Sequence, residues 1–120
     1  MNKYQIILAD CPWDYRHKPP QGAVPYPTLS LDELKKIPVH EIADKNCALF
    51  FWATPPLLRQ ALEVIEAWGF EYVTKAFTWV KTYRNGNIVS GLGYYTRGND
   101  EACLLAKRGR IHRLKTATNI

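Results

Sequence analysis

The stretch Tyr4-Gln5-Ile6-Ile7-Leu8-Ala9, followed at once by Asp10-Cys11-Pro12-Trp13, decides how this sequence is interpreted. The first six residues are apolar and β-branched enough to predict a short buried strand, and the Asp-x-Pro after them is typical of a turn. In open α/β sheets, ligands bind beyond the carboxyl ends of the strands. The tetrapeptide from Asp10 to Trp13 is therefore expected where such a sheet would hold a ligand.

Two helices are predicted after a proline-rich loop that covers residues 13–29. Ser30 and Glu33 have the spacing of a capping box, and the helix that they begin is expected to end at Pro38. Thr54, followed by proline, begins a second helix whose apolar residues recur at helical spacing until Gly69. The long loop between strand and first helix is of a kind that usually binds something.

Three further strands complete the pattern. Residues 47–53 are apolar throughout and predict a central strand covered on both faces. Strands are also expected at about residues 71–81 and 101–106, separated by a loop with the turn signal Asn85-Gly86. The alternation predicts one α/β domain over residues 1–120, parallel at its start and closing with an antiparallel edge pair.

The bulk properties limit the classes of protein. The chain has 120 residues, 47% of them hydrophobic, and a formal net charge of +5. It can form a core and is not disordered, and its charge fits a phosphate-bearing partner or an unrelated basic surface equally well. With no membrane span and no signal peptide, we expect a cytoplasmic protein. Three scattered cysteines indicate free thiols and no metal site.

The tetrapeptide suits the exocyclic amino group of a base such as adenine or cytosine. That nitrogen must become pyramidal before it attacks a methyl donor, and two acceptors off the ring plane favour the change. The Asp10 carboxylate and the Cys11 carbonyl would be those acceptors, with Pro12 fixing the carbonyl and Trp13 stacking on the base. The alternative is a plain turn in which Trp13 fills the core.

Several blocks, in order from about residue 4 to 110, resemble the adenine-specific amino-methyltransferase family typified by the catalytic subunit of the eukaryotic mRNA adenosine methyltransferase. The hallmark of that family is Asp-Pro-Pro-Trp, for which this chain has Asp-Cys-Pro-Trp. The other similar blocks are Tyr26-Pro27-Thr28-Leu29-Ser30, Leu49-Phe50-Phe51-Trp52-Ala53-Thr54, Trp68-Gly69-Phe70, Trp79-Val80-Lys81, Gly91-Leu92-Gly93-Tyr94, Arg97-Gly98-Asn99-Asp100-Glu101 and Leu104-Leu105-Ala106.

The resemblance implies S-adenosylmethionine-dependent methyl transfer to the 6-amino group of adenine in nucleic acid, with DNA favoured over RNA. It implies a partial Rossmann-like methyltransferase sheet with helices on both faces. Asp10 to Trp13 would form the catalytic pocket, with Asp10 and Cys11 also beside the cofactor. Around the base and nucleic-acid strand it places Tyr15, Tyr26, Arg97, Asn99 and Glu101.

Other interpretations remain open at this point. Tyr26 would then only brace its loop, Lys81 would be a solvated charge at a strand end, and Arg97 would pair with Glu101. The remaining tryptophans, Trp52, Trp68 and Trp79, are expected in the core.

The C-terminal portion that supplies most cofactor contacts in the family has no counterpart here, so we expect an incomplete, C-terminally truncated sheet. Its first strand would then be an exposed edge, open to a second copy or a complementing chain. The alternative functions are an inactive nucleic-acid-binding or partner subunit and an inert fragment.

Overall fold

The computed structural model describes residues 2–14, 27–91 and 95–112. The order of elements is β1 (Tyr4–Ala9), α1 (Leu31–Lys35), α2 (Val39–Ile42), β2 (Ala43–Ala53), a 3-10 turn (Pro55–Leu57), α3 (Leu58–Ala67), β3 (Glu71–Val80) and β4 (Asp100–Arg108). All predicted strands and helices are confirmed, with ends that differ by a few residues. The proposed roles of Tyr15 and Tyr26 and the basic tail after residue 112 lie outside the described residues.

The four strands form one mixed sheet in the order β1-β2-β4-β3. β1 and β2 are parallel, whereas β4 is antiparallel to both of its neighbours. The predicted parallel start and antiparallel edge pair are therefore confirmed. Because β4 runs against β2 and β3, the carboxyl ends of β1, β2 and β3 all lie at the same end of the sheet. The amino end of β4 joins them there.

The predicted signals for the start of α1 and the end of α3 are confirmed, whereas Thr54 makes no side-chain cap and α3 begins only after the 3-10 turn. Ser30 Oγ accepts from the backbone N–H of Glu33 at 3.2 Å, and the Glu33 carboxylate accepts from Ser30 N–H at 3.1 Å, so the capping box is present. α3 ends at Gly69, whose φ of +85° favours glycine. Trp68 Nε1 donates to the carbonyl of Leu34 at 2.8 Å, which ties α3 to α1.

One face of the sheet is covered by the described helices. Cross-strand partners share a face, so the register groups Leu49 with Ala106 and Phe51 with Leu104. These residues form a single core cluster with the buried side chains of the helices, such as Leu34 and Val64. The fold is mixed α/β and is consistent with part of a Rossmann-like methyltransferase sheet.

The opposite face corrects two expectations. Ile6 and Leu8 in β1 are each 68% exposed, and Phe77 and Trp79 in β3 are 48% and 53% exposed. Among the described residues, every buried helical side chain belongs to the first face, so the prediction of helices on both faces is met on one side only. β1 is a strand at the sheet edge, as expected, but the prediction that it is buried is wrong, because no described element packs on Ile6 and Leu8.

Candidate active site

The predicted tetrapeptide follows β1 directly and borders a cavity of about 270 Å³. Ala9 in β1 pairs with Phe51 in β2, so the residues after both parallel strands meet at the carboxyl edge. The cavity is close to the lower limit of about 300 Å³ for small-molecule sites. Its walls come from all four strands and their ends: Asp10, Cys11, Trp13, Trp52, Ala53, Thr54, Trp79 and Glu101.

A tight turn fixes the backbone of the tetrapeptide. Trp13 N–H donates to the Cys11 carbonyl at 3.0 Å, and Leu29 N–H donates to the Pro12 carbonyl at 2.9 Å. A carbonyl oxygen has two lone pairs, so the Cys11 carbonyl keeps one for a ligand. The turn holds the proposed acceptor in place, but it also shares that acceptor with Trp13.

Trp13 lies mainly in the core. It is 6% exposed and makes an edge contact with Phe51, with ring centroids 6.2 Å apart. Trp13 therefore fills the core, as the alternative interpretation expected, and it also contributes to the cavity wall. Little of its ring surface is accessible to a base.

Trp52 and Trp79 are the aromatic walls that the sequence prediction missed. Their rings meet at 6.4 Å and 74°, and both border the cavity. The expectation that all three remaining tryptophans lie in the core holds for Trp68, which is 3% exposed, and is wrong for Trp79 at 53%. The signal available in the sequence was position, because Trp79 lies next to the end of one predicted strand and Glu101 begins another.

The Cys11 thiol is protonated at neutral pH. Partial burial, and secondly the negative charge of Asp10, raise the pKa of this thiol to about 11. The Asp10 side chain belongs to an exposed residue that still borders the cavity. Cys11 therefore adds a neutral thiol, not a thiolate nucleophile, to the pocket. All three cysteines of the chain are free.

Of the residues predicted to surround the base, the structure describes Arg97, Asn99 and Glu101, and one of these three lines the cavity. Glu101 borders it, whereas Arg97 donates to Ser90 Oγ at 3.3 Å. Glu101 pairs with Lys81, at 3.0 Å, so the suggested Arg97–Glu101 pair is not formed. Asn99 contributes its backbone carbonyl, which accepts from Lys81 N–H at 3.0 Å. Lys81 is therefore paired with Glu101, although its side chain remains 39% exposed.

Comparison with known proteins identifies the family. The MT-A70 family model matches residues 4–120. The chain belongs to the MT-A70 family. Type II methyltransferase M.MunI of Mycoplasma is 35% identical over 138 aligned residues, which cover 98% of this chain and 57% of that protein. The human N(6)-adenosine-methyltransferase catalytic subunit METTL3 is 29% identical over 111 residues, covering 91% of this chain and 18% of METTL3.

This MT-A70 chain thus spans little more than half of M.MunI and less than a fifth of METTL3. The matched region includes every cavity residue named above, because the family model begins at Tyr4. In the residues that the structure describes, no helix is long and apolar enough to cross a membrane. The same residues contain no cluster of three potential metal ligands from histidine, cysteine, aspartate and glutamate.

Proposed function

We propose that this protein takes part in S-adenosylmethionine-dependent methyl transfer to the exocyclic 6-amino group of adenine in nucleic acid. The observation that carries the proposal is the cavity beyond β1, which is lined by Asp10 and Cys11 together with the two tryptophans, Trp52 and Trp79. The cavity combines hydrogen-bond acceptors with aromatic side chains, and these two features suit a purine base that carries an amino group. Membership of a family whose named relatives are methyltransferases supports the same chemistry.

The charge at the cavity fits the cofactor. S-adenosylmethionine supplies, when bound, a methyl group carried on a cationic sulfur. Neither Lys35–Glu63 nor Lys81–Glu101, the ion pairs seen between described residues, includes Asp10, whose negative charge would attract a cation. Asp10 and Cys11 are the residues that would lie beside the cofactor, and the exposed Asp10 carboxylate provides the attraction.

The chain's own residues would position the amine. The Asp10 carboxylate and the second lone pair of the Cys11 carbonyl accept the two amino hydrogens, which favours a pyramidal nitrogen with its lone pair directed at the methyl group. Pro12 and the turn to Trp13 fix the Cys11 carbonyl, so this acceptor needs no reorganisation during the reaction. A base in a duplex would have to be flipped out to enter.

The aromatic walls would hold the ring of that base. Stacking of a base on an aromatic side chain contributes about 1–3 kcal/mol. Trp79 offers the largest exposed indole at the cavity, while Trp13 contributes an edge from the core. We therefore assign stacking first to Trp79, with Trp13 supporting the turn beneath it.

DNA is the favoured substrate. The formal charge of +5 suits a phosphate backbone. Identity is higher to M.MunI, a type II methyltransferase, than to the adenosine methyltransferase subunit METTL3. We further propose that Tyr15, Tyr26, Arg97 and Asn99 contact the strand around the target base, and that the protein acts in the cytoplasm, where its free thiols stay reduced.

Calorimetric titration with S-adenosylmethionine tests the cofactor role of Asp10. We expect binding of micromolar strength by the wild-type chain, loss of binding in Asp10→Ala, and no change in Asp32→Ala, which removes an exposed acid of the first turn of α1. Transfer of a labelled methyl group to adenine in DNA then tests the reaction. A folded chain that binds neither cofactor nor DNA would contradict the proposal.

A second candidate is an inactive nucleic-acid-binding or partner subunit. The specific observation in its favour is the free edge of β1, beside which Ile6 and Leu8 are largely exposed. Such an edge can pair with a second copy or with a complementing chain. DNA binding that weakens with salt, in the absence of cofactor binding and methyl transfer, would select this candidate.

A further inference from the structure

Lys81 occupies a fixed position at the rim of the cavity. It follows β3, and its backbone is held on both sides: its N–H donates to the Asn99 carbonyl at 3.0 Å and its carbonyl accepts from Val89 N–H at 2.9 Å. Its ammonium lies 3.0 Å from Glu101 Oε1 and 5.0 Å from the ring centroid of Trp79. Trp79 and Glu101 are themselves cross-strand partners. One cation therefore contacts two neighbouring walls of the cavity.

Trp79 needs such a contact because of where it lies. Among the described strands, β3 lies at the sheet edge and pairs with β4 alone, and the Trp79 indole is 53% exposed. A large side chain with so much free surface would sample several rotamers, and a ligand that stacks on it would have to order it first. Trp52 contacts the indole on one side, and Lys81 lies over the ring.

The Lys81–Glu101 ion pair also makes the two cavity carboxylates, Asp10 and Glu101, differ in how far their charge is offset. Lys81 offsets the charge of Glu101, whereas no lysine or arginine among the described residues pairs with Asp10. The negative charge of the cavity is thus concentrated at Asp10. Glu101 in turn holds the ammonium above the indole, because the 3.0 Å contact limits where the flexible lysine can extend.

We propose that Lys81 is a positioning residue, which together with Glu101 fixes the indole of Trp79 against Trp52 so that the aromatic wall is formed before a ligand binds. The inference rests on the function proposed above for its effect on binding, but the geometry of the wall can be tested without any ligand. In this role Lys81 acts through Trp79 and does not contact the base.

The ligand-free test uses circular dichroism of the full chain. Two indoles with ring centroids 6.4 Å apart at 74° should give an exciton couplet in the ultraviolet spectrum, and its loss in Trp79→Phe assigns it to this pair. We expect Lys81→Met to reduce the couplet and Lys81→Arg to keep it, because a guanidinium retains both the ion pair and the cation–π contact. Lys75→Met, within β3 and away from the cavity, is the matched control.

The binding test uses adenosine as the probe, followed by equilibrium dialysis. Lys81→Met should weaken binding by about threefold, the size expected of an exposed cation–π contact, and Lys81→Arg should restore it. In a Glu101→Gln background the effect of Lys81→Met should be smaller, since the ammonium is already released. An unchanged couplet in Lys81→Met would overturn the inference, as would additive losses in Lys81→Met and Trp79→Phe. A wild-type couplet without adenosine binding would instead refute the proposed function and leave the wall geometry standing.

Discussion

Replacing Asp10 with asparagine should make the Cys11 thiol more reactive, and this follows from the arrangement of the candidate site. The pKa of Cys11 is raised from an ordinary value of 9.0 to about 11, first by burial and second by the charge of Asp10. Asparagine has nearly the same shape but carries no charge. The substitution therefore removes the electrostatic cause and leaves the burial in place.

The size of the effect can be worked out from these two causes. At pH 8, a shift from 9.0 to about 11 lowers the thiolate fraction about 100-fold. The more basic thiolate is the better nucleophile, with a Brønsted coefficient of about 0.4–0.5, so the rate of disulfide exchange falls only about tenfold. Because Asp10 is the smaller cause of the pKa shift, Asp10→Asn should recover less than half of this tenfold loss of rate on a logarithmic scale. We expect a rate increase of up to about threefold.

The rate is measured at pH 8 with an aromatic disulfide reagent and residue assignment by mass spectrometry. Cys47 and Cys103 are 0% and 1% exposed and should stay unmodified, and they serve as internal references. An unfolded peptide that contains Asp-Cys-Pro-Trp gives the rate of an accessible thiol. Asp32→Asn controls for the change in net charge. The reasoning is refuted if folded Asp10→Asn reacts no faster than the wild type, or if Cys11 already reacts at the peptide rate.

Three further predictions concern stability and binding. Ser30→Ala should lower the free energy of unfolding, measured by urea denaturation, by about 1 kcal/mol. Hydrogen bonds from Ser30 lower the pKa of Glu33, so the stabilisation by that carboxylate is present above pH 4.5 and is lost as the pH falls. Glu33→Gln should make the stability less dependent on pH in this range. Gly109→Ala should lower the melting temperature more than Gly86→Ala. Both glycines have positive φ, but a Cβ at Gly109 would also overlap the Lys45 carbonyl. Equal decreases in melting temperature would argue against that contact. Trp79→Ala should weaken adenosine binding by about 1–3 kcal/mol in a fluorescence titration while changing stability by no more than about 0.5 kcal/mol; a large loss of stability would mean that Trp79 is a core residue after all.

Local signals in the sequence predicted most of the fold. The capping box at Ser30, the end of α3 at Gly69 and the Asn85-Gly86 turn each depend on a few adjacent residues. In that turn, Gly86 N–H donates to the Tyr83 carbonyl at 2.9 Å, and Gly86 has the positive φ that the residue type predicts. These features form because backbone groups find partners within the same segment, which an isolated sequence specifies.

The position of side chains on the sheet was harder to predict. Whether Trp79 faces the cavity depends on its pairing with Glu101, and the β3–β4 ladder contains two register irregularities that no local pattern indicates. The partner of Glu101 was missed for the same reason, because Lys81 is 20 residues distant in sequence. Burial of β1 was predicted from apolar composition alone, whereas burial depends on what packs against the strand.

The topology explains why residues about ninety positions apart could form one site. β4 lies between β2 and β3 and runs against both, so Ala53 near the end of β2 pairs with Ala102, and Trp79 near the end of β3 pairs with Glu101. Both pairs are therefore at the edge where Asp10 follows β1. A slip of one residue between β3 and β4 would turn the indole of Trp79 to the helical face and remove the cation–π contact with Lys81. The acceptors of the site are set by the parallel strands, and its aromatic wall depends on the register of the antiparallel pair.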